Sequence, residues 1–250
     1  MQQGFERGML TGMILIDLQK AFDTIDHKIL LQKMQYLHFS DSVIKWFKSY
    51  LENRTFSVQV EDSLSGLGNL DCGVPQGSIL GPLLFLLYVN DMSQSVTCDL
   101  LLYADDSCLV FEGKDIDEIE NRLNKDFNSL CDWFVDNKLS IHFGEDKTKS
   151  IVFGTNTKIK NIRELDIRRG DKKIKQHPQV VYLGCTLDRT LSGDAMASKA
   201  LGKINGRLNF LYRKEGFLTP SLKRLSCNAL IQPHFDFAYL AWYTNLKKKL

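Results

Sequence analysis

The stretch DLLLYADDSCLVFEG, residues 99–113, decides the fold class of this 250-residue chain. Apolar residues flank two adjacent acids, Asp105 and Asp106, on both sides. This pattern predicts a buried strand, a tight turn at the acids and a second strand. Unpaired carboxylates are costly within an apolar stretch. The two acids therefore indicate either a bound cation or a solvated turn, in which aspartate is common.

The bulk composition is that of an ordinary globular protein, with 44% hydrophobic and 25% charged residues. The longest apolar run, residues 79–89, is too short to span a bilayer and contains Gly81 and Pro82. The first residues lack the pattern of a signal peptide. The six cysteines form no C-x-x-C pair, which predicts free thiols in a reducing compartment. We therefore expect an intracellular protein, in the nucleus or cytoplasm, without a membrane partner.

Charge is distributed unevenly along the chain. Residues 1–157 carry 13 Lys and Arg against 23 Asp and Glu, a balance of −10, whereas residues 158–250 carry 19 against 7, a balance of +12. An acidic part favours the binding of cations, and a basic part favours the binding of a polyanion. Surface charge can also vary along a chain without functional meaning.

Hydrophobic periodicity places further elements around the acidic turn. The alternation of Phe56, Val58 and Val60 predicts one strand with a wet face, and residues 79–91 predict an apolar helix. Thr219 and Pro220 predict the start of a last helix that Pro233 ends. Two amphipathic helices are predicted from apolar positions at steps of 3 or 4, namely 116, 119, 123, 127, 130 and 134, and 197, 201, 204, 208 and 211.

A third acid, Asp17, ends the apolar run MILIDL, residues 13–18. A second strand that ends in an acid would complete a site for Mg²⁺, which one or two carboxylates hold together with substrate phosphates. Two such ions activate an attacking oxygen and stabilise a leaving one, which is the chemistry of phosphoryl transfer. The turn at residues 104–106 alone favours a solvated acidic turn, so this interpretation depends on further motifs.

Three motifs occur in order and in register: ILIDLQKAFDTIDH (14–27), GVPQGSILGPLLFLLYVNDM (73–92) and YADD (103–106). Together they resemble the palm of reverse transcriptases, specifically those of non-LTR (LINE-like) retrotransposons. KLSIHFGEDKTKSIVF (138–153) and VVYLGCTLD (180–188) continue the resemblance, and residues 202–242 resemble the thumb. The resemblance implies an α+β fold: an antiparallel palm sheet backed by helices over residues 1–190, followed by a helical thumb over residues 191–250.

The resemblance also implies a reaction and its site. It implies an RNA-directed DNA polymerase that uses two Mg²⁺ ions, with Mn²⁺ as a substitute, an RNA template, a DNA primer and dNTP. The resemblance implies Lys147 as a catalytic residue, and it leaves open whether Lys149 shares or takes this role. The other implied residues are metal-binding and catalytic Asp17, Asp105 and Asp106; nucleotide-binding Phe22, Gln76 and Gly77; primer-contacting Tyr182, Leu183 and Gly184; and backbone-binding Lys199, Lys203 and Arg207.

Among the metal ligands, the resemblance assigns the direct contacts to Asp17 and Asp105 and a supporting role to Asp106. The ring of Phe22 would exclude a nucleotide with a 2′-hydroxyl, although a core phenylalanine is the simpler interpretation of Phe22 alone. We interpret Asp23, Asp26 and His27 as caps and structural hydrogen-bonding groups.

The family's fingers region has no counterpart in the first sixteen residues, which predicts weak binding of the triphosphate. A nucleic-acid-binding remnant without catalysis is therefore an alternative to an active polymerase. A two-metal nuclease would use similar acids, but it would not explain the positions of Phe22 and of the PQG sequence at residues 75–77.

Overall fold

The computed structural model describes residues 7–239, and the two ends of the predicted domains, residues 1–6 and 240–250, lie outside the described residues. The strands, in chain order, are β1 (Leu10–Ile16), β2 (Thr55–Phe56), β3 (Gln59–Val60), β4 (Ser63–Leu64), β5 (Gly68–Asn69), β6 (Asp99–Tyr103), β7 (Asp106–Gly113), β8 (Lys149–Phe153), β9 (Ile167–Arg169), β10 (Lys172–Gln176), β11 (Gln179–Tyr182) and β12 (Cys185–Asp188).

The helices surround and follow these strands. They are α1 (His27–Tyr36), α2 (Asp41–Leu51), α3 (Leu80–Val89), α4 (Ile116–Asp136), α5 (Asn156–Ile159), α6 (Asp194–Arg213), α7 (Pro220–Leu230) and α8 (Gln232–Asp236). None of the helices within residues 7–239 is both long enough and apolar enough to cross a membrane.

Six strands form the central sheet in the order β6-β7-β1-β8-β10-β9. Every neighbouring pair is antiparallel except β8 and β10, which are parallel. The predicted α+β class, with a mostly antiparallel sheet and helices, is confirmed. The predicted domain boundary at residue 190 stays a prediction. Helix α6, the first helix of the predicted thumb, packs against β12.

Strand β1 lies in the middle of the sheet and is buried on both faces. Leu10, Ile14 and Ile16 face the main core with the helices, whereas Met13 and Leu15 face a second, smaller core. This alternation follows from the two-residue period of a strand. The second core is closed by the hairpin of β11 and β12, so the odd-numbered residues of β1 point towards that hairpin.

Helix α4 crosses close to β1 at Gly12. A Cβ atom at this position would overlap Ile119 Cγ2 and would lie 2.7 Å from Leu123 Cδ1. The predicted apolar stripe of α4 is confirmed, because Ile119, Leu123, Phe127, Leu130 and Phe134 are all buried. Packing of this stripe on the sheet holds the strands in place beneath the site described below.

Caps predicted from the sequence mark two helix starts. The Asp26 carboxylate accepts hydrogen bonds from the backbone N–H groups of Lys28 and Ile29 and caps α1. Thr219 caps α7 in the same way, by accepting from Leu222 N–H. Pro233, however, does not end this helix, as α7 stops at Leu230 and Pro233 lies in the first turn of α8.

The expectation that the first half of the opening stretch is buried is wrong. Strand β6 is at the edge of the sheet, and Leu101, Leu102 and Tyr103 are 44%, 36% and 65% exposed. Only the second half, including Cys108 and Leu109 in β7, is buried. An edge strand has a neighbour on one side only, which the apolar composition of the stretch does not reveal.

Two further predictions need correction. Phe56, Val58 and Val60 do not share one strand with a wet face: they lie on and between the short, exposed strands β2 and β3. In α6 the buried positions are Met196, Ala200 and Ile204, of which Ile204 alone belongs to the stripe predicted from residue 197, and Leu201 and Leu208 are about half exposed. The helix is amphipathic as predicted, but it packs on a face rotated from the predicted one.

Candidate active site

Asp17 and Asp106 come together at one end of the central sheet. Strands β1 and β7 are antiparallel, with Ile16 opposite Ser107, so the next pair along this register is Asp17 and Asp106. On β1 the odd-numbered residues point towards the hairpin of β11 and β12, as do Cys108 and Val110 on β7. The period of two therefore directs both carboxylates to the same face of the sheet.

Asp105 occupies the apex of the turn between β6 and β7. Tyr103 pairs with Asp106, which leaves Ala104 and Asp105 as the two turn residues. Ala104 has a φ of +52° and Asp105 does not have a positive φ, which is the pattern of a type II′ turn. The predicted strand–turn–strand is thus confirmed, and Asp105 is exposed next to Asp106.

Asp17 and Asp106 line a cavity of about 170 Å³. Its floor is formed by the ends of β1 and β7, and its walls come from the turn before β8 and from the β11–β12 hairpin. The predicted site residues that line it are Asp17, Asp106, Lys147, Lys149, Tyr182 and Leu183. The cavity thus brings together residues from four separated segments of the chain.

The carboxylates at this cavity repel each other. Partial desolvation raises the pKa of Asp106 above its ordinary value, and the charges of Asp105 and Asp17 raise it further. Tyr182 is nearby, with its hydroxyl beside the Cys108 thiol, and burial raises the pKa of Tyr182 to about 12. At neutral pH the cavity therefore contains a neutral phenol and a surplus of negative charge, which a cation would relieve.

Lys147 supplies a positive charge at this place. Its Nζ atom is 3.6 Å from Asp17 Oδ2. Lys149 lines the same cavity from the first position of β8, but its side chain makes no ion pair among those found within residues 7–239. Of the two lysines that the sequence left open, Lys147 is therefore the one placed at the carboxylate.

The segment that carries Lys147 is fixed to the backbone of Asp17 from both sides. The N–H of His142 donates to the carbonyl of Asp17 at 2.8 Å, and the N–H of Asp17 donates to Thr148 Oγ1 at 3.2 Å. Thr148 is 2% exposed. These contacts of His142 and Thr148 were not predicted from the sequence, although both lie in the quoted stretch of residues 138–153.

Phe22 and Gln76 lie together in a neighbouring part of the structure. The Phe22 ring is half-buried and stacks on Phe85 of α3, with centroids 4.7 Å apart and an angle of 28° between the rings. Gln76 and Gly77 form an exposed turn ahead of α3, and Gly77 has a φ of +76°. The N–H of Val74 donates to the carbonyl of Phe22, so the loop and the ring are held side by side.

The predicted primer-contacting residues form the turn of the β11–β12 hairpin. Tyr182 pairs with Cys185, and Leu183 and Gly184 have φ values of +47° and +77°, which is a type I′ turn. A Cβ atom at Gly184 would lie 3.1 Å from the ring of Phe237, beyond α8. The hairpin thus touches the cavity through Tyr182 and the helical region through Gly184.

Lys199, Lys203 and Arg207 recur every fourth residue along α6 and are exposed. The Arg207 guanidinium donates to the carbonyl of Leu230 at the end of α7, which fixes its position. An exposed row of cations of this kind suits a polyanion. The row is on a different element from the carboxylate cavity.

The donor atoms at the cavity suit a hard divalent cation. Within residues 7–239, no three His, Cys, Asp or Glu side chains are close enough together to form a complete metal site in advance. Mg²⁺ needs only one or two carboxylates when substrate phosphates and water supply the other ligands. The carboxylates of Asp17 and Asp106 at one cavity supply the oxygen ligands that such an ion needs.

Comparison with known families gives a match over most of the chain. A family model described as reverse transcriptase (RNA-dependent DNA polymerase) matches residues 2–187. The chain is 30% identical over 185 residues to the RNA-directed DNA polymerase from mobile element jockey of Drosophila melanogaster, which covers 71% of this chain and 19% of that protein.

A second relative covers nearly the whole chain. The chain is 30% identical over 251 residues to the probable RNA-directed DNA polymerase from transposon BS of Drosophila melanogaster, which covers 96% of this chain and 27% of that protein. The chain thus spans only about a fifth to a quarter of the length of the curated relatives it matches.

Among solved structures, a telomerase from Candida tropicalis, determined in complex with a fragment of telomeric RNA, has a similar fold. The TM-score is 0.50 at 13% sequence identity, over 96% of this chain and 40% of the telomerase chain. At this identity the likeness concerns the fold alone.

Proposed function

Since the chain belongs to the reverse transcriptase (RNA-dependent DNA polymerase) family, we propose that it is the polymerase part of a non-LTR retrotransposon protein. Its reaction is the addition of a deoxynucleotide to the 3′-hydroxyl of a DNA primer on an RNA template. The observation that carries the proposal is the meeting of Asp17 and Asp106 at one cavity, next to Asp105 and opposite Lys147. Such a polymerase would act in the nucleus or the cytoplasm, where its template RNA is.

Members of this family generally use divalent metal ions. We assign the holding of two Mg²⁺ ions to Asp17, Asp105 and Asp106, and Mn²⁺ would be a substitute. When bound, such ions supply Lewis-acid chemistry at the attacking and leaving oxygens of phosphoryl transfer. The role of the protein is to hold the carboxylates at one place, which the pairing of β1 with β7 and the tight turn at residue 104 achieve.

Lys147 serves the leaving group. In the reaction the primer 3′-hydroxyl loses its proton to solvent and its oxygen forms a bond to the α-phosphorus, while the bond from that phosphorus to the bridging oxygen breaks and pyrophosphate leaves. The Lys147 ammonium, held at the Asp17 carboxylate, can neutralise the charge that develops on pyrophosphate or give it a proton. The hydrogen bonds of His142 and Thr148 to Asp17 keep the lysine segment in register with the carboxylate.

The remaining residues bind and select substrates. The Phe22 ring, supported by Phe85, excludes the 2′-hydroxyl of a ribonucleotide by its volume. Gln76 and Gly77 contact the nucleotide or the nascent base pair. The hairpin of Tyr182, Leu183 and Gly184 contacts the primer end. Phosphate contacts through Lys199, Lys203 and Arg207 on α6 bind template and primer without reading sequence.

Primer extension tests this function. The full chain is incubated with an RNA template, a labelled DNA primer, Mg²⁺ and the next dNTP, alongside Asp105→Ala and alongside Asp62→Ala, an exposed acid in the turn between β3 and β4. We expect extension by one nucleotide with the wild type and with Asp62→Ala, and none with Asp105→Ala. Duplex binding is measured on the same samples.

The basic face of α6 favours one second candidate, a nucleic-acid-binding remnant that has lost catalysis. Under that alternative the wild type binds the primer–template duplex but adds no nucleotide, and Asp105→Ala binds equally well. Absence of both binding and extension would contradict both candidates.

A further inference from the structure

Residues 22–27 hold the loop of residues 73–76 through backbone contacts. The N–H of Gly73 donates to the carbonyl of Ile25 at 2.8 Å, and the N–H of Val74 donates to the carbonyl of Phe22 at 2.9 Å. Gly73 itself has a φ of +83°, and a Cβ atom there would lie 2.7 Å from the carbonyl oxygen of Asp23. The two segments are thus in contact without space for a side chain.

Side chains add two contacts to this junction. His27 Nε2 is 2.6 Å from the carbonyl oxygen of Gly73. Gln76 Nε2 donates to Asp23 Oδ1 at 2.7 Å. Asp23 and Gln76 are both exposed, so neither side chain is held by packing in the core. Their hydrogen bond therefore decides how the Gln76 side chain is oriented.

The chemistry of the pair fixes the orientation of the amide. An ionised carboxylate only accepts hydrogen bonds, so the amide nitrogen of Gln76 must face Asp23 and the amide oxygen must point away from it. A hydrogen bond to a charged group is also stronger than one between neutral groups. Within residues 7–239 the Oε1 atom of Gln76 accepts no hydrogen bond, so it can accept one from another molecule.

We propose that Asp23 is a positioning residue: it holds Gln76 so that Oε1 of Gln76 is presented to a hydrogen-bond donor of the bound nucleotide or nascent base pair. The identity of the substrate in this inference rests on the proposed function. The hydrogen bond by which Asp23 holds Gln76 is independent of that function. Asp23 itself touches no substrate in this proposal. We interpret Asp23 from the sequence as a structural hydrogen-bonding group, and this proposal names Gln76 as its partner.

The hold of Asp23 on Gln76 is measured first, without any substrate. The side-chain amide of Gln76 is observed by nuclear magnetic resonance in the full chain, and Gln76→Ala identifies its signals. We expect one N–H of Gln76 to exchange with water about tenfold more slowly in the wild type than in Asp23→Ala. Asp23→Asn, which keeps an acceptor oxygen, should retain part of this protection. Equal exchange in the wild type and in Asp23→Ala would overturn the proposal.

The consequence for the reaction is measured by a double-mutant comparison of dNTP incorporation. We expect Asp23→Ala to raise KM for dNTP by about tenfold with a smaller change in kcat, and to have no further effect when Gln76 is already Ala. A merely structural role would reduce activity equally in both backgrounds, and that result would also overturn the proposal. Asp62→Ala serves as the matched exposed acid.

The two measurements separate failure of the inference from failure of the proposed function. A wild-type chain that adds no nucleotide contradicts the proposed polymerase activity, while the amide exchange still decides whether Asp23 holds Gln76. A wild-type chain that adds nucleotides, with additive losses in the double mutant, contradicts the inference alone.

Discussion

Lys147 Nζ lies 3.6 Å from Asp17 Oδ2, at the cavity that Asp17 shares with Asp106. The ammonium balances part of the negative charge of a site whose carboxylates are Asp17, Asp106 and Asp146 at the cavity and Asp105 in the adjoining turn. The Lys147 ammonium can exchange its contact with Asp17 for a contact with another anion. It is therefore placed to bind a phosphate that enters the site. This geometry connects the structure most directly to phosphoryl transfer.

Replacement of Lys147 by Ala should reduce the rate of nucleotide incorporation by about 10²-fold, since a positioned general acid contributes at least that much. Single-turnover primer extension at saturating dNTP measures this rate. Lys149→Ala is the matched control, because Lys149 lines the same cavity without an ion pair to Asp17. A larger loss in Lys149→Ala than in Lys147→Ala would show that the assignment is reversed.

Replacement of Asp106 by Asn should stabilise the chain at pH 7 in the presence of a chelator. The pKa of Asp106 in the folded state lies above its ordinary value because of desolvation and the charges of Asp105 and Asp17. A raised carboxyl pKa contributes stability below the unfolded pKa of about 3.9, and this contribution is lost as the pH rises through the folded pKa. At pH 7 the ionised group therefore contributes unfavourably to the stability of the fold, and solvent screening keeps this contribution small because Asp106 is exposed.

Thermal unfolding followed by circular dichroism checks this prediction. We expect Asp106→Asn to raise the unfolding midpoint by about 2 °C at pH 7, and the difference to disappear near pH 3, where the wild-type carboxyl is protonated. Asp62→Asn, in an exposed turn, should leave the midpoint unchanged. A lower unfolding midpoint for Asp106→Asn than for the wild type at pH 7 would contradict this prediction. It would mean that other groups already compensate the charge of the wild-type Asp106 carboxylate.

Replacement of Phe22 by Val should weaken discrimination against ribonucleotides. The Phe22 ring stacks on Phe85, and its loss opens space in the region where the sugar is proposed to bind. We expect the ratio of dNTP to rNTP incorporation, measured by kcat/KM for each, to fall by about tenfold or more. Phe22→Tyr keeps the ring and should keep the ratio. An unchanged ratio in Phe22→Val would favour the simpler interpretation, a core phenylalanine.

Asp126 anchors the segment before β6 and should control stability in acid. Its carboxylate, 2% exposed in α4, accepts hydrogen bonds from the backbone N–H groups of Thr97 and Cys98 and from the Thr97 hydroxyl. Burial alone would raise the pKa of Asp126, but the hydrogen bonds from Cys98 and Thr97 outweigh it and lower the pKa. A lowered carboxyl pKa contributes stability above the unfolded pKa, and this contribution is lost as the pH falls through the folded value.

Asp126→Ala should therefore cost about 1–3 kcal/mol of unfolding free energy at pH 7, because it leaves buried N–H donors without an acceptor. Urea unfolding at pH 7 measures this cost. The pH dependence of wild-type stability below about pH 4 should be weaker in the variant. Asp132→Ala, an exposed acid on the same helix, is the control, and an equal cost for the two variants would contradict the anchoring role.

The acidic turn and its partner Asp17 could be predicted from the sequence because each ends an apolar run. The two-residue period of a strand predicts which face of the strand such an acid points to. The order of the motifs along the chain identifies the acids as parts of one site. That Asp17 and Asp106 point to the same face could not be predicted, since this depends on the pairing of β1 with β7, whose sequence positions are far apart. The exposure of β6 was missed for a similar reason: the stretch does not show that it is an edge strand.

The contacts that support the site were the least predictable part. The hydrogen bond from His142 N–H to the Asp17 carbonyl and the one from Asp17 N–H to Thr148 Oγ1 join segments more than a hundred residues apart. The bond between Asp23 and Gln76 also depends on the path of a loop. The packing face of α6 was mispredicted because Ala197 and Ala200 are equally apolar in the sequence, and contact with the β11–β12 hairpin selects the face that carries Ala200.

The most direct test of the central claim, that Asp17 and the turn at residues 105–106 together hold the divalent ions, is a measurement of Mn²⁺ binding by electron paramagnetic resonance. The sample contains the full chain, an RNA template, a DNA primer ending in a dideoxynucleotide and the next dNTP. We predict bound Mn²⁺ in the wild type and a loss of affinity of at least about tenfold in Asp17→Asn and in Asp106→Asn, with Asp62→Asn unchanged. Binding of Mn²⁺ by both site variants with the affinity of the wild type would contradict the account.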